Sequence, residues 1–199
     1  GVIYTPDNYL CTSYYPKLSQ FLLNAPYIML PYGELIARKE FLFDTLGNNG
    51  CLFVRPNGGS KSFTGKVMEY DRFDRDVELA GFYDVSHNEL VVVAEPKNIT
   101  HEWRFIATKH GGIISESLYG KQKDCKHEEM LFARKLAIEV CYLYLPDTAW
   151  SIDICRLYDG SYRLIEIGCF SCSGLYENDL NQIVRNVSFE AIEEWKEYK

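Results

Sequence analysis

The chain has 199 residues, a formal net charge of -7, and 47% hydrophobic against 25% charged residues. That is enough for one large domain or two small ones of ordinary globular composition around a proper core. The acidic balance speaks against a broad nucleic-acid footprint and leaves room only for a local basic cleft holding a nucleotide's phosphates. No apolar run approaches the roughly 18 residues a membrane span needs. Seven cysteines at irregular spacing, with no secretory signal, indicate reduced thiols in a cytoplasmic protein. Cys169 and Cys172 form a lone C-x-x-C without a second pair or a nearby histidine, so small buried residues are expected there.

In chain order, Val2-Ile3-Tyr4 suggests a short strand, Tyr14 to Leu23 a helix, and Ile28-Met29-Leu30 a second short strand. Glu34 to Leu46 has helical spacing, with Gly47 as its stop. Cys51 to Val54 is a buried-type strand leading into Arg55-Pro56-Asn57-Gly58-Gly59-Ser60-Lys61-Ser62-Phe63-Thr64-Gly65, and a strand follows at Lys66-Val67-Met68. Two glycines, hydroxyls and a lysine between strands describe either a plain hairpin loop or one that closes over phosphates. It is not a Walker A loop, because the G-x-x-x-x-G-K-[ST] spacing cannot be drawn through it. Asp71 to Asp84 is charged and predicts a surface helix or connection. Leu90 to Ala94 is a fully apolar strand broken by Glu95-Pro96. Glu102 to Ile106 begins another strand that turns at Gly111-Gly112, and Glu102 and Arg104 share a face, which alone predicts only a common salt bridge. His127 to Tyr144 is a helix with an apolar stripe of Met130, Ala133, Ala137, Ile138, Cys141 and Tyr144. Asn178 to Lys199 is a final amphipathic helix or pair of helices.

The most informative stretch lies between them. Trp150, Ile152 and Ile154 alternate with Ser151, Asp153 and Cys155, the period of a strand. Asp159-Gly160 signals a two-residue hairpin turn, and the second strand is expected to put Leu164 and Glu166 on one face. A two-residue loop makes Tyr158 face Ser161 and, continued without a bulge, sets Asp153 opposite Glu166. Two adjacent carboxylates destabilise a sheet unless a cation sits between them. Magnesium takes such hard oxygens alongside substrate phosphates. The other reading is a solvated hairpin face without metal.

Taken in order, FVRPNGGSKSFTG, EPKNITHEWRF and AWSIDICRLYDGSYRLIEIGCFSCSGLY resemble the ATP-grasp superfamily, in particular small phage and bacterial members defined by characteristic arginine and lysine positions. The resemblance spans Glu34 to Val187. It implies an α+β fold, the ATP-grasp fold, with two subdomains of mostly antiparallel sheet clasping a nucleotide. A short segment at 1–33 would precede a phosphate-loop subdomain at 34–94 and a ribose and metal subdomain at 95–199. By position, the resemblance implies that Arg55 touches the nucleotide's phosphates, with either Arg38 or Lys39 as the other basic residue. Gly58, Gly59, Ser60 and Lys61 match the phosphate-covering loop. Glu95 matches the carboxylate near the adenine amino group, with Lys97 beside it, and Glu102 matches the ribose carboxylate. Asp153 and Glu166 match the metal ligands. The third metal position, usually Asn, is Gly168 here, so Ser171 or water would have to fill in.

The activity implied is ATP-dependent joining of a carboxylate and an amine through an acylphosphate, with ATP and Mg²⁺ as cofactors and a peptide or protein among the candidate substrates. Arg55, Lys61 and Arg104 would neutralise the charge that develops on the phosphates. Ser171, Ser173 and Gly174 read as a substrate-facing loop or an ordinary turn. A nucleotide-binding module without ligase activity and a kinase of the same fold are the alternatives.

Overall fold

The structure, a computed structural model, describes residues 2–58, 62–81, 85–119 and 125–197. The chain divides into two compact units. One comprises Leu10–Thr12 and Asn24–Lys97; the other comprises Gly1–Tyr9, Ser13–Leu23 and Asn98–Lys199. The fold is α+β, with one four-stranded antiparallel sheet in each unit.

In the Asn24–Lys97 unit, β1 (Tyr27–Pro31), β2 (Cys51–Pro56), β3 (Lys66–Glu69) and β4 (Leu90–Ala94) lie in the order β1-β4-β2-β3. Alternation sends Leu52, Val54, Met68, Val91 and Val93 to one face, where they form a core with Leu35, Leu42, Phe43 and Phe73. Those partners come from α2 (Tyr32–Ala37), α3 (Lys39–Leu46) and α4 (Phe73–Gly81). The helix expected over Glu34–Leu46 is therefore two helices, broken at Arg38 with φ -109° and ψ 24°. Nothing in the sequence marks that break. Residues 82–84, the end of the expected Asp71–Asp84 helix, lie outside the described residues.

In the Asn98–Lys199 unit, β5 (Ile99–Thr108), β6 (Gly112–Leu118), β7 (Ala149–Leu157) and β8 (Tyr162–Cys169) lie in the order β6-β5-β7-β8. The helix α5 (His127–Leu143) packs across all four strands and α6 (Leu180–Glu197) packs on β5 and β6. Helix α5 buries Ala133, Leu136, Ala137 and Val140, so its buried face is rotated from the expected stripe and Ile138 is left exposed. The departure at α6 is larger. It buries Ile183, Glu190 and Glu194, while Leu180, Val184, Ile192 and Trp195 are exposed. The two glutamates are inside because backbone donors there need acceptors. Glu190 accepts from the His110 backbone N–H at 2.9 Å, and Glu194 from that of Ile3 at 3.0 Å. Ile3 and its neighbours form no strand. Among the described residues, the regular structure before β1 consists of a 3-10 turn at Pro6–Tyr9, α1 (Cys11–Leu18) and a 3-10 turn at Ser19–Phe21.

The hairpin of β7 and β8 differs from the sequence expectation twice. The Leu157 N–H donates to the Ser161 carbonyl at 2.8 Å, so three residues, not two, form the loop. Gly160 takes φ +85°, the left-handed residue that such loops place last. Tyr162 then pairs with Arg156 and Leu164 with Ile154, one step off the expected register. A bulge at Ile165 restores the step, and Asp153 pairs with Glu166 after all. The bulge also moves Leu164 to the opposite face from Glu166, among the apolar side chains beside Ile154.

Candidate functional site

Register across three strands of the Asn98–Lys199 unit builds a polar row. Arg104 on β5 pairs with Asp153 on β7, which pairs with Glu166 on β8. Directly paired residues point the same way, so these three share one face, and Glu102 joins them two residues before Arg104. Arg104 grips both Asp153 oxygens, Nε to Oδ1 at 2.8 Å and Nη2 to Oδ2 at 2.5 Å. Both side chains are buried, at 10% and 3% exposure. Burial works against the Arg104 charge, but the hydrogen bonds and charge of Asp153 outweigh it and hold the guanidinium protonated. Arg104 thus forms a bidentate pair with Asp153, a partner that the sequence did not suggest.

Glu102 is the strained member of the group. Burial, followed by the charges of Asp153 and Glu166, pushes its carboxyl up to about 7, and the opposing pull of Arg104 does not outweigh them. The described residues hold no group of three or more His, Cys, Asp or Glu side chains arranged to bind a metal. Two carboxylates with substrate phosphates are nevertheless the usual magnesium set. Asp153 and Glu166 are register partners on one face, so the two hard oxygen donors of such a set stand side by side there.

Sequence reasoning missed what surrounds this row. The Arg104 Nη1 donates to the Gly174 carbonyl at 3.1 Å. The Tyr176 ring lies 5.0 Å and the Tyr119 ring 5.9 Å from the guanidinium carbon. The two rings are 4.6 Å apart, and the hydrogen bond the Tyr119 hydroxyl donates to Tyr176, followed by burial, pushes that hydroxyl up to about 12. Tyr176 adopts φ +49°, uncommon for a non-glycine residue. No local pattern in the sequence signals these contacts, which join residues far apart in the chain. Cys172, expected inside, is exposed, and Cys169 is half-buried.

The Asn24–Lys97 unit carries the other expected residues. Arg55 on β2 is buried and pairs with Val92. It alternates with the core residue Val54, so it points away from the helical face. A Cβ on Gly65 would sit 3.1 Å from the Arg55 Cβ, so glycine lets the returning chain pass close beside it. The loop after Arg55 starts from an anchored residue. The Asn57 carbonyl accepts the Cys11 N–H at 2.9 Å, and its Oδ1 accepts the Thr12 N–H at 2.9 Å. Past the loop, the Ser62 hydroxyl bonds to Glu89. Gly58 is half-buried, while Gly59, Ser60 and Lys61 lie outside the described residues.

Glu95 follows β4. It accepts from Asn48 at 2.7 Å and pairs with Lys97, and these two partners, Lys97 first, hold its carboxyl below the usual range. The structure therefore brings Glu95 and Lys97 together and adds Asn48, which the sequence did not reveal. Arg38 and Lys39, the two candidates for the second basic residue, lie at the junction of α2 and α3. Arg38 is exposed and bonds to Glu34 at 2.5 Å. The Lys39 ammonium lies 4.4 Å from the Tyr70 ring and 5.3 Å from that of Phe73, a core residue on the helical face.

Two antiparallel α+β units of this kind define the ATP-grasp fold, and solved structures share it. N5-carboxyaminoimidazole synthetase from Staphylococcus aureus, complexed with ADP, matches at TM-score 0.52 and 12% identity over 80% of this chain and 43% of its own. The VanG D-Ala:D-Ser ligase from Enterococcus faecalis matches at TM-score 0.57 and 14% identity, over 81% and 52%. The ATP-grasp ligase PsnB, complexed with precursor peptide PsnA2 and AMPPNP, matches at TM-score 0.54 and 12% identity, over 85% and 51%. This chain therefore spans about half the length of these proteins. No curated protein matches its sequence. Residues 22–187 match a family described as an ATP-grasp domain, family 3 of its clade, and the chain belongs to that family. Among the described residues no helix is long and apolar enough to cross a membrane.

Proposed function

We propose that this chain binds ATP with Mg²⁺ and joins a carboxylate to an amine through an acylphosphate. The observation that supports this best is the row Arg104, Asp153 and Glu166 beside Glu102, whose carboxyl rises to about 7 through burial and the charges of Asp153 and Glu166. Bound at Asp153 and Glu166, Mg²⁺ would supply charge neutralisation to the β- and γ-phosphates.

The remaining roles belong to the chain's own side chains. Arg55 and Lys61 neutralise phosphate oxygens, and Gly58, Gly59 and Ser60 offer backbone N–H groups to them. Glu95, kept ionised by Lys97 and Asn48, accepts from the adenine amino group. Glu102 holds the ribose hydroxyls. Arg104 steadies the acylphosphate with N–H groups not used on Asp153 and Gly174, since guanidinium has five donors. Catalysis in this reading is positioning and electrostatic stabilisation, with no protein nucleophile. A peptide acceptor is part of the proposal, because PsnB of the same fold carries a peptide in its solved complex.

A second reading, a nucleotide-binding module without turnover, is favoured by one feature: Arg104 engages both oxygens of the Asp153 carboxylate. Screening acids and amines for stimulated ADP release, with products read by mass spectrometry, separates the two. The ligase requires release that depends on both an acid and an amine together with an amide product. Nucleotide binding with no turnover in any pair supports the module.

A further inference from the structure

Beside the carboxylate row lies a pair of hydroxyls whose protons are both committed. Ser151 is two residues before Asp153, Gly168 is two after Glu166, and the two are register partners on the same face. The Ser173 hydroxyl donates to the Cys169 carbonyl at 2.7 Å. A serine has one proton, so the 2.7 Å contact between the Ser151 and Ser173 oxygens must be donated by Ser151. The Ser173 oxygen thus gives one hydrogen bond, receives one, and keeps one lone pair. It has no proton left for a phosphate, which makes it an oxygen suited to a cation.

Gly168 makes the room. A Cβ there would fall 2.5 Å from the Ser151 Oγ and 3.2 Å from the Ser173 Oγ. The hydroxyl pair therefore fills the volume a side chain at position 168 would need. Ser151 is 1% exposed and inaccessible to a ligand, whereas Ser173 is half-exposed. A neutral hydroxyl also adds an oxygen without adding charge to carboxylates that already repel. Ser171, the residue expected to compensate for Gly168, is exposed in the 3-10 turn Phe170–Cys172 and is not part of the pair.

We propose that the Ser173 oxygen is a further magnesium ligand beside Asp153 and Glu166, and that Ser151 is a positioning residue that fixes its lone pair. This rests on the proposed metal–nucleotide reading. It is tested by calorimetric titration of Mg²⁺ and Cd²⁺ into the chain saturated with AMPPNP. Ser173→Ala should weaken Mg²⁺ at least about tenfold, since loss of partners behind a ligand already costs about 10–100-fold. Its metal-free melting temperature should fall, because the buried Ser151 hydroxyl loses its acceptor, so the readout is the Mg²⁺ affinity set against the metal-free nucleotide affinity of the same variant. Ser173→Thr, which keeps the oxygen, should retain the Mg²⁺ affinity. Ser173→Cys should lose Mg²⁺ and gain Cd²⁺, because thiolate selects softer metals. Gly168→Ala, which displaces the hydroxyl pair, should weaken Mg²⁺ as Ser173→Ala does. Unchanged Mg²⁺ affinity in Ser173→Ala, or no Cd²⁺ gain in Ser173→Cys, overturns the assignment while wild-type binding stands. Absence of Mg²⁺-dependent nucleotide binding in the wild type overturns both this assignment and the reading beneath it.

Discussion

Arg104 and Asp153 face each other across β5 and β7 and meet through two hydrogen bonds, at 2.8 and 2.5 Å, with both side chains buried. Removing one partner of such a pair leaves a buried charge uncompensated, at a cost of about 3–5 kcal/mol. Asp153→Ala and Arg104→Ala should each lower stability by that order without any metal present. The double mutant should lose less than the two singles summed. Denaturant unfolding of the four proteins checks this, and strict additivity would mean that the two side chains are not coupled.

Glu166 should behave differently from Asp153. Glu166→Gln keeps the shape and hydrogen-bonding capacity of the side chain, so the metal-free protein should stay close to wild-type stability. The same change should abolish the Mg²⁺-dependent rise in melting temperature with ATP. Thermal melts with and without Mg²⁺-ATP read both effects. A full wild-type shift in Glu166→Gln would mean that this carboxylate does not serve the metal.

The raised Glu102 carboxyl links stability to pH. Its folded value of about 7 lies above that of an ordinary glutamate, so the native state binds the extra proton between roughly pH 4.5 and 7. The Glu102 contribution is fully present below that window and is lost as pH rises through it. Glu102→Gln should flatten this part of the stability profile. In Glu166→Gln the Glu102 titration, followed by carboxyl NMR, should move down toward the ordinary range. No movement would mean that Glu166 does not act on Glu102.

Arg55 is expected to contact phosphate. Arg55→Ala should weaken ATP much more than adenosine, which has no phosphate to lose. Competitive binding measurements with both ligands test this, and equal weakening would indicate a folding defect at a buried position.

Much of the fold was legible because alternation and helical spacing are local. Each of β1 to β8 overlaps a strand or returning segment expected from the sequence, and Lys66–Glu69 and Leu90–Ala94 need almost no revision. The pairing of Asp153 with Glu166 was reached through two offsets that cancel, a three-residue loop and the bulge at Ile165. Neither has a sequence signal strong enough to distinguish it from Asp159-Gly160 in a tighter turn. The grip of Arg104 on Asp153 was hidden because it depends on which strand lies beside β7, and β5 is 49 residues away at that contact. The apolar face of α6 misled for a similar reason. Backbone donors at Ile3 and His110 decide that Glu194 and Glu190 turn inward, and those donors are distant in sequence. Asn48, Tyr119 and the pairing of Ser173 with Ser151 escaped notice because contacts between single polar residues distant in sequence carry no periodicity.

The nucleotide and metal predictions depend on the proposed binding of Mg²⁺-ATP by this chain. Calorimetric titration of ATP into the wild-type protein, in the presence of Mg²⁺ and again with the metal chelated, tests it most directly. Saturable binding of ATP that tightens with Mg²⁺ is the predicted result. No adenine nucleotide binding under either condition would contradict it.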